Sequence, residues 1–261
     1  MALRCTVCLL AVLAAGCATA DSTGQGQDAD PVGVRVLRIG VSRSAPPLIY
    51  EEDGETRGLE ADMARRLTAE LNMQPRFVPM FFPNLIFEIR QKNIDIIMAG
   101  MSITPARRRE VAFAEPYMIV GQQALVRADE AHLYPNTEAV RTPSARIATE
   151  ASTTGNAYVT RHMTNATRTV FPTLAAAVEA LERGLTDIVV TDSTAAAWIA
   201  ADRDDADLIV VPGLFTEESL AWAVHRDDKR LLGEINGVLR KWKADGTLDQ
   251  MIARWVSPRS D

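Results

Sequence analysis

Cysteine is nearly absent from this chain. Three occur among 261 residues, Cys5, Cys8 and Cys17, all near the amino terminus. No disulfide framework is therefore expected after residue 17, and stability must come from a packed core. Histidine is as scarce: His132, His162 and His225 lie far apart and match no metal-ligand spacing, so no metal and no cofactor is expected. Positive charge is not in excess either, since 28 Lys+Arg against 34 Asp+Glu leave a net charge of −6. Sequence-independent nucleic-acid binders rely on basic surfaces. No nucleic-acid partner is expected, and the run Arg107-Arg108-Arg109 is not read as such a patch. What is present is ordinary globular composition, 47% hydrophobic and 24% charged, with room for one large domain or two smaller ones.

Long apolar runs are missing too. The stretch from Cys5 to Ala15 falls short of the about 20 residues that span a bilayer as a helix. Preceded by Arg4 and followed by small residues, it reads as a secretory signal. Leu13-Ala14-Ala15-Gly16-Cys17 resembles the lipobox of bacterial lipoproteins, with Ala14 where a large aliphatic residue is usual. That resemblance implies a lipoprotein signal peptide over 1–16, lipidation at Cys17, and a protein of the cell envelope anchored to a membrane. Residues 17–35, rich in Asp, Gly, Gln, Ser and Thr, have no apolar period and read as a flexible tether.

From Val36 onward apolar runs alternate with amphipathic helical patterns, which signals an α/β fold. Strands are expected at Val36–Val41, Ile94–Met98 and Ile188–Thr191, and helices at Leu59–Leu71 and Thr173–Arg183. Thr104-Pro105 supplies an N-cap and a first-turn proline. A long helix carries the stripe Leu231, Leu232, Ile235, Val238, Leu239 and Trp242 and stops at Gly246. Thr247-Leu-Asp-Gln250 reads as a capping box opening a last helix.

One internal similarity carries the functional argument. Gln91-Lys-Asn-Ile-Asp-Ile-Ile-Met-Ala-Gly-Met-Ser102 parallels Glu182-Arg-Gly-Leu-Thr-Asp-Ile-Val-Val-Thr-Asp-Ser193. Both read as helix end, tight turn, Asp, buried strand, then a polar loop. Open α/β sheets bind ligands at the carboxyl ends of their strands, where such loops sit. The first loop offers Gly100, Ser102 and Arg107, and the second offers Asp192. A cation from one lobe and an anion from the other suit a zwitterion. Taken singly and from spacing alone, Arg107 reads rather as a solvated charge and Asp192 as a simple N-cap.

Gly58-Leu-Glu-Ala-Asp62 resembles the G-[aromatic/aliphatic]-[DE]-x-[DE] signature of the solute-binding proteins, family 3, that deliver polar amino acids to ABC transporters. Met98-Ala-Gly-Met-Ser-Ile-Thr-Pro-Ala-Arg107 is similar to that family's G-x-[ST]-I-T-x-x-R loop. Phe113-Ala-Glu-Pro-Tyr117 and Lys243-Ala-Asp-Gly-Thr247 follow in the family's order. The resemblance implies a two-lobed periplasmic-binding-protein-like (type II) fold with a cleft between lobes. Lobe one would comprise 36–121 plus 216–258, and lobe two 122–215, hinged near Gly121 and Phe215. It implies that Arg107 forks onto the ligand α-carboxylate, aided by Ser102 and amides near Gly100. Thr153 and Thr154, in Ala151-Ser-Thr-Thr-Gly155, would donate to the same group, Asp192 would accept from the α-ammonium, and Phe82 would form an apolar wall.

The function implied is extracytoplasmic capture of an amino acid by a monomer, and delivery to an ABC permease in the inner membrane. Two other readings compete. Cyclohexadienyl dehydratase shares the fold and the stretch like Phe82-Pro-Asn-Leu85, but its catalytic Glu three residues after the second-loop Asp is Ala195 here, so no catalysis is expected. A sensory protein docking on a receptor is the other. Relatives that take basic amino acids commonly carry an acid at the position of Ser42. Its lack here points to a neutral ligand, unless another acid such as Glu51 or Glu60 reaches the pocket.

Overall fold

The computed structural model describes residues 33–141, 145–201 and 208–256. The expected signal peptide, Cys17 and nearly all of the tether lie outside the described residues, as do residues 257 and 258 at the expected end of lobe one.

The chain opens with β1 (Arg35–Ser42), whose buried side chains start the first core. A small three-stranded sheet follows, β2 (Ser44–Ala45), β3 (Ile49–Glu52) and β4 (Glu55–Arg57). Helix α1 (Leu59–Glu70) then leads into β5 (Met73–Met80), and α2 (Leu85–Arg90) into β6 (Ile96–Ile97). Helix α3 (Pro105–Arg108) and β7 (Val111–Phe113) complete this half. After β8 (Met118–Val120) the chain crosses into a second unit. That unit holds β9 (Gln122–Arg127), α4 (Thr137–Arg141), β10 (Arg146–Glu150), α5 (Thr154–His162), β11 (Thr167–Phe171), α6 (Leu174–Glu182), β12 (Ile188–Asp192), α7 (Ser193–Ala201) and β13 (Leu208–Val210). It returns through β14 (Glu218–Leu220), which pairs antiparallel with β8, to β15 (Ala223–His225), α8 (Lys229–Ala244) and α9 (Thr247–Val256).

Two five-stranded sheets result, ordered β5-β1-β6-β15-β7 and β11-β10-β12-β9-β13. In each sheet four strands run in one direction and one, β15 or β9, runs antiparallel between its two neighbours. In β12, Ile188 and Val190 pack into one core and Val189 into another, the period-two alternation of a sheet covered on both faces.

The internal similarity has a structural cause. Asp95 accepts from the Arg38 amide at 2.8 Å, and Asp187 accepts from the Arg146 amide at 2.8 Å. Each also takes the guanidinium of that arginine, so the same Asp–Arg pair locks the parallel neighbour strand in both units. The preceding turns each pass through a left-handed residue, Lys92 (φ 60°) and Gly184 (φ 67°).

The helix expected to start at Thr104-Pro105 does so: the Thr104 hydroxyl accepts from the Arg107 amide at 3.1 Å and the helix covers four residues. Two expectations need correction. The strand expected at Ile94–Met98 pairs only at Ile96–Ile97, because its register against β1 covers only Ile39 and Gly40. The last helix does not open on a Thr247 capping box: the Asp245 carboxylate accepts from the Thr247 amide at 2.9 Å, and the Gln250 amide bonds the Gly246 carbonyl.

Candidate functional site

The carboxyl ends of both sheets face one cleft between the units. About 590 Å³ lies between the lining atoms, part of it open to solvent, and every residue singled out above as ligand-binding lines it: Ser42, Phe82, Gly100, Ser102, Arg107, Thr153, Thr154 and Asp192.

The first wall is built on Glu60. Gly58 begins α1 at φ 114° with the Leu48 carbonyl 2.5 Å from where a Cβ would stand, so the glycine is obligatory there. Two residues on, the fully buried Glu60 carboxylate accepts from the Gly100 amide (2.6 Å), the Tyr117 hydroxyl (2.9 Å) and the Trp222 indole (3.1 Å). Burial pushes its pKa up to about 7 even against those three donors. The signature residues therefore pin the loop that carries Gly100 and Ser102. They also consume the Gly100 amide, so Gly100 shapes the cleft rather than donating into it, contrary to expectation.

Arg107 stands on the short helix behind that loop. Its Nη1 donates to the Ser102 carbonyl at 2.8 Å and its Nη2 to the Ser152 carbonyl of the other unit at 3.0 Å. The guanidinium carbon lies 5.2 Å from the Phe82 ring centroid, a cation–π contact. Burial lowers its pKa, opposed by the fields of Asp192 and Glu218. Two of five N–H groups are used, which leaves a fork able to take a carboxylate. Ser152 sits at φ 62°, a left-handed conformation that glycine would adopt at less cost.

The second wall comes from β10, β12 and the start of α5. Thr153 caps α5: its hydroxyl donates to the Glu150 carbonyl at 2.8 Å and accepts from the Asn156 amide at 3.1 Å. Its single proton is spent, so the expected donation from Thr153 to a ligand is corrected. The Thr154 hydroxyl accepts from Gln122 Nε2 at 3.1 Å and keeps its proton for the cleft. Gln122 Nε2 also donates to Asp192. Burial and the Glu218 field raise the Asp192 pKa to about 6, opposed by the Gln122 bond and Arg107.

Sequence reasoning missed Glu150, Gln122, Leu174 and Thr194, which line the same cleft. Glu150 was findable: it ends a strand and directly precedes the Ala151–Gly155 loop, where strand-end logic points. Burial, then the Asp192 field, lift its pKa to about 8. The two acids named as possible alternatives do not reach the pocket: Glu51 is exposed beside Arg43, and Glu60 is held by its three donors. Among the described residues no group of three or more His, Cys, Asp or Glu could hold a metal ion, and no helix is long and apolar enough to cross a membrane.

The pattern defining the bacterial extracellular solute-binding proteins, family 3, matches residues 37–258. The chain belongs to that family. Among its relatives, the ABC transporter glutamine-binding protein GlnH of Bacillus subtilis is 28% identical over 206 residues, 78% of this chain and 74% of that one. Cyclohexadienyl dehydratase of Pseudomonas aeruginosa is 26% identical over 227 residues, 86% of this chain and 84% of the enzyme. The crystal structure of the ancestral amino acid-binding protein AncCDT-1, described as a precursor of cyclohexadienyl dehydratase, superposes with a TM-score of 0.80 at 32% identity, covering 85% of this chain and 96% of that one. The fold is the two-lobed, type II periplasmic-binding-protein architecture.

Proposed function

We propose that this family member captures an amino acid, or a similar small zwitterion, outside the cytoplasm and hands it to an ABC permease in the inner membrane. The observation that carries the reading is the pairing of Arg107 from one wall with Asp192 from the other, both lining one cleft. Arg107 takes the α-carboxylate with the Thr154 and Ser102 hydroxyls, and Asp192 takes the α-ammonium. Lobes 36–121 plus 216–258 and 122–215 close around the ligand as a monomer. Binding rather than catalysis is favoured by Ala195, which lines the cleft three residues after Asp192 and carries no group to move a proton.

Calorimetry against the twenty amino acids tests the clamp. Arg107→Ala and Asp192→Ala should each lose about 2–5 kcal/mol of binding, since each leaves a desolvated charge unpaired. Unchanged affinity in either variant refutes it. Turnover of a cyclohexadienyl substrate by the purified protein would instead restore the enzyme reading.

Lipidation at Cys17 is proposed from the lipobox alone, and it ties the protein to the membrane in which the permease sits or to one facing it. Cys17→Ser should abolish partition into detergent; equal partition of both chains excludes the anchor.

A further inference from the structure

We infer that Glu150 forms a subsite for a second positive charge, and that the ligand is a basic amino acid with an ammonium or guanidinium at the end of an alkyl chain. The inference rests on the amino-acid reading above. In that reading Arg107 and Asp192 satisfy the two charges common to every amino acid. Glu150 is the charged residue lining the cleft that remains. Among the described residues no hydrogen bond reaches its carboxyl, although its backbone carbonyl is bound by Thr153.

Among the described residues no cation is paired with this carboxyl. Of the charged groups that line the cleft with it, Asp192, one strand over, repels, and Arg107, bound to two carbonyls, has its remaining N–H groups assigned to the ligand α-carboxylate in the reading above. The strand on its other side brings Arg168, whose guanidinium is bound to Asn156. Arg127 and Arg146, in the same sheet, pair with Glu130 and Asp187 away from the cleft. A carboxyl confined without a partner is costly to ionise, and its pKa is raised accordingly.

The remaining lining fits an alkyl chain ending in a donor. Leu174, Phe82, Ala45, Pro46 and Leu48 supply an apolar wall for methylene groups. The Thr194 hydroxyl oxygen, also on the second wall, is buried with no hydrogen-bond partner and can accept from a cationic head. The expectation of a neutral ligand rested on the missing acid at Ser42; in this proposal Glu150, on the opposite lobe, supplies the counter-charge instead.

The test compares arginine with citrulline, which replaces the guanidinium by a neutral ureido group of similar shape. Wild type should prefer arginine at least about thirtyfold, the low end for truncating a buried charge pair. Glu150→Gln, nearly isosteric, should collapse that ratio toward one. Independently of any variant, arginine binding should tighten between pH 6.5 and 8.5, about the pH at which Glu150 ionises, and release protons to the buffer. Citrulline binding should not tighten. Tight citrulline or glutamine binding without an arginine preference overturns the subsite and leaves the zwitterion clamp standing. Absence of binding by every amino acid overturns both, and a preference for arginine that survives Glu150→Gln overturns the role of Glu150.

Discussion

Residue by residue, the cleft is supported by groups that never touch a ligand, and Glu60 is the one with a measurable consequence. Its carboxyl ionises near pH 4.5 when unfolded and about 7 when folded, so folding favours its protonated form. The associated stability is fully present below pH 4.5 and is lost as pH rises through about 7, on the order of 3 kcal/mol across the window. Glu150 and Asp192 shift in the same sense, so the effect of Glu60 is read as a difference between chains. The melting temperature of wild type should fall more steeply from pH 5 to 8 than that of Glu60→Gln. Parallel curves would mean that Glu60 is ionised throughout. Because Glu60 accepts from the Gly100 amide, ionisation strengthens that bond while it costs desolvation, so the same group connects the packing of the first core to the loop beside Arg107.

At the scale of elements, legibility followed the range of the forces involved. The amphipathic stripe of α8 was readable because Leu231, Ile235, Val238, Leu239 and Trp242 follow a local period and all are buried. The repeated turn-Asp-strand pattern was readable as sequence, but its cause, an Asp locking an arginine some forty or more residues away, is not local. Strand β6 was overextended because a buried apolar run does not reveal how many of its residues a parallel neighbour will pair. All eight residues singled out from the family resemblance line the cleft, yet the resemblance could not assign their protons. Whether Thr153 donates to a ligand or to the Glu150 carbonyl depends on the hydroxyl's position at the start of α5, which only the folded chain fixes. Glu150 escaped because the strand it ends, β10, was not among those read from the sequence; with that strand placed, strand-end logic points to it.

For the molecule as a whole, the two lobes meet at a narrow waist. The Gln122 amide donates to the Thr216 hydroxyl at 2.9 Å and the Phe215 amide to the Gln122 carbonyl at 2.8 Å, so the two crossings run side by side. Gly121 allows the approach, since a Cβ there would stand 2.2 Å from the Thr216 carbonyl. Away from the waist, lobe contacts lie around the cleft: Arg107 on Ser152, and the Tyr50 ring 6.0 Å from the Trp198 ring. A joint of two adjacent strands can bend while those outer contacts open and close, which is how closure around a ligand would proceed. The four tryptophans make this visible. Trp222 and Trp242 are buried in the first core and Trp255 packs against it, so their surroundings are fixed within one lobe. Trp198, on α7, has its partner ring on the other lobe. Adding the ligand should therefore change tryptophan emission through Trp198 alone, and Trp198→Phe should abolish the change while calorimetry still detects heat. A signal that persists in Trp198→Phe would place the rearrangement inside the first lobe, and closure at the waist would be the wrong description of how this protein holds its ligand.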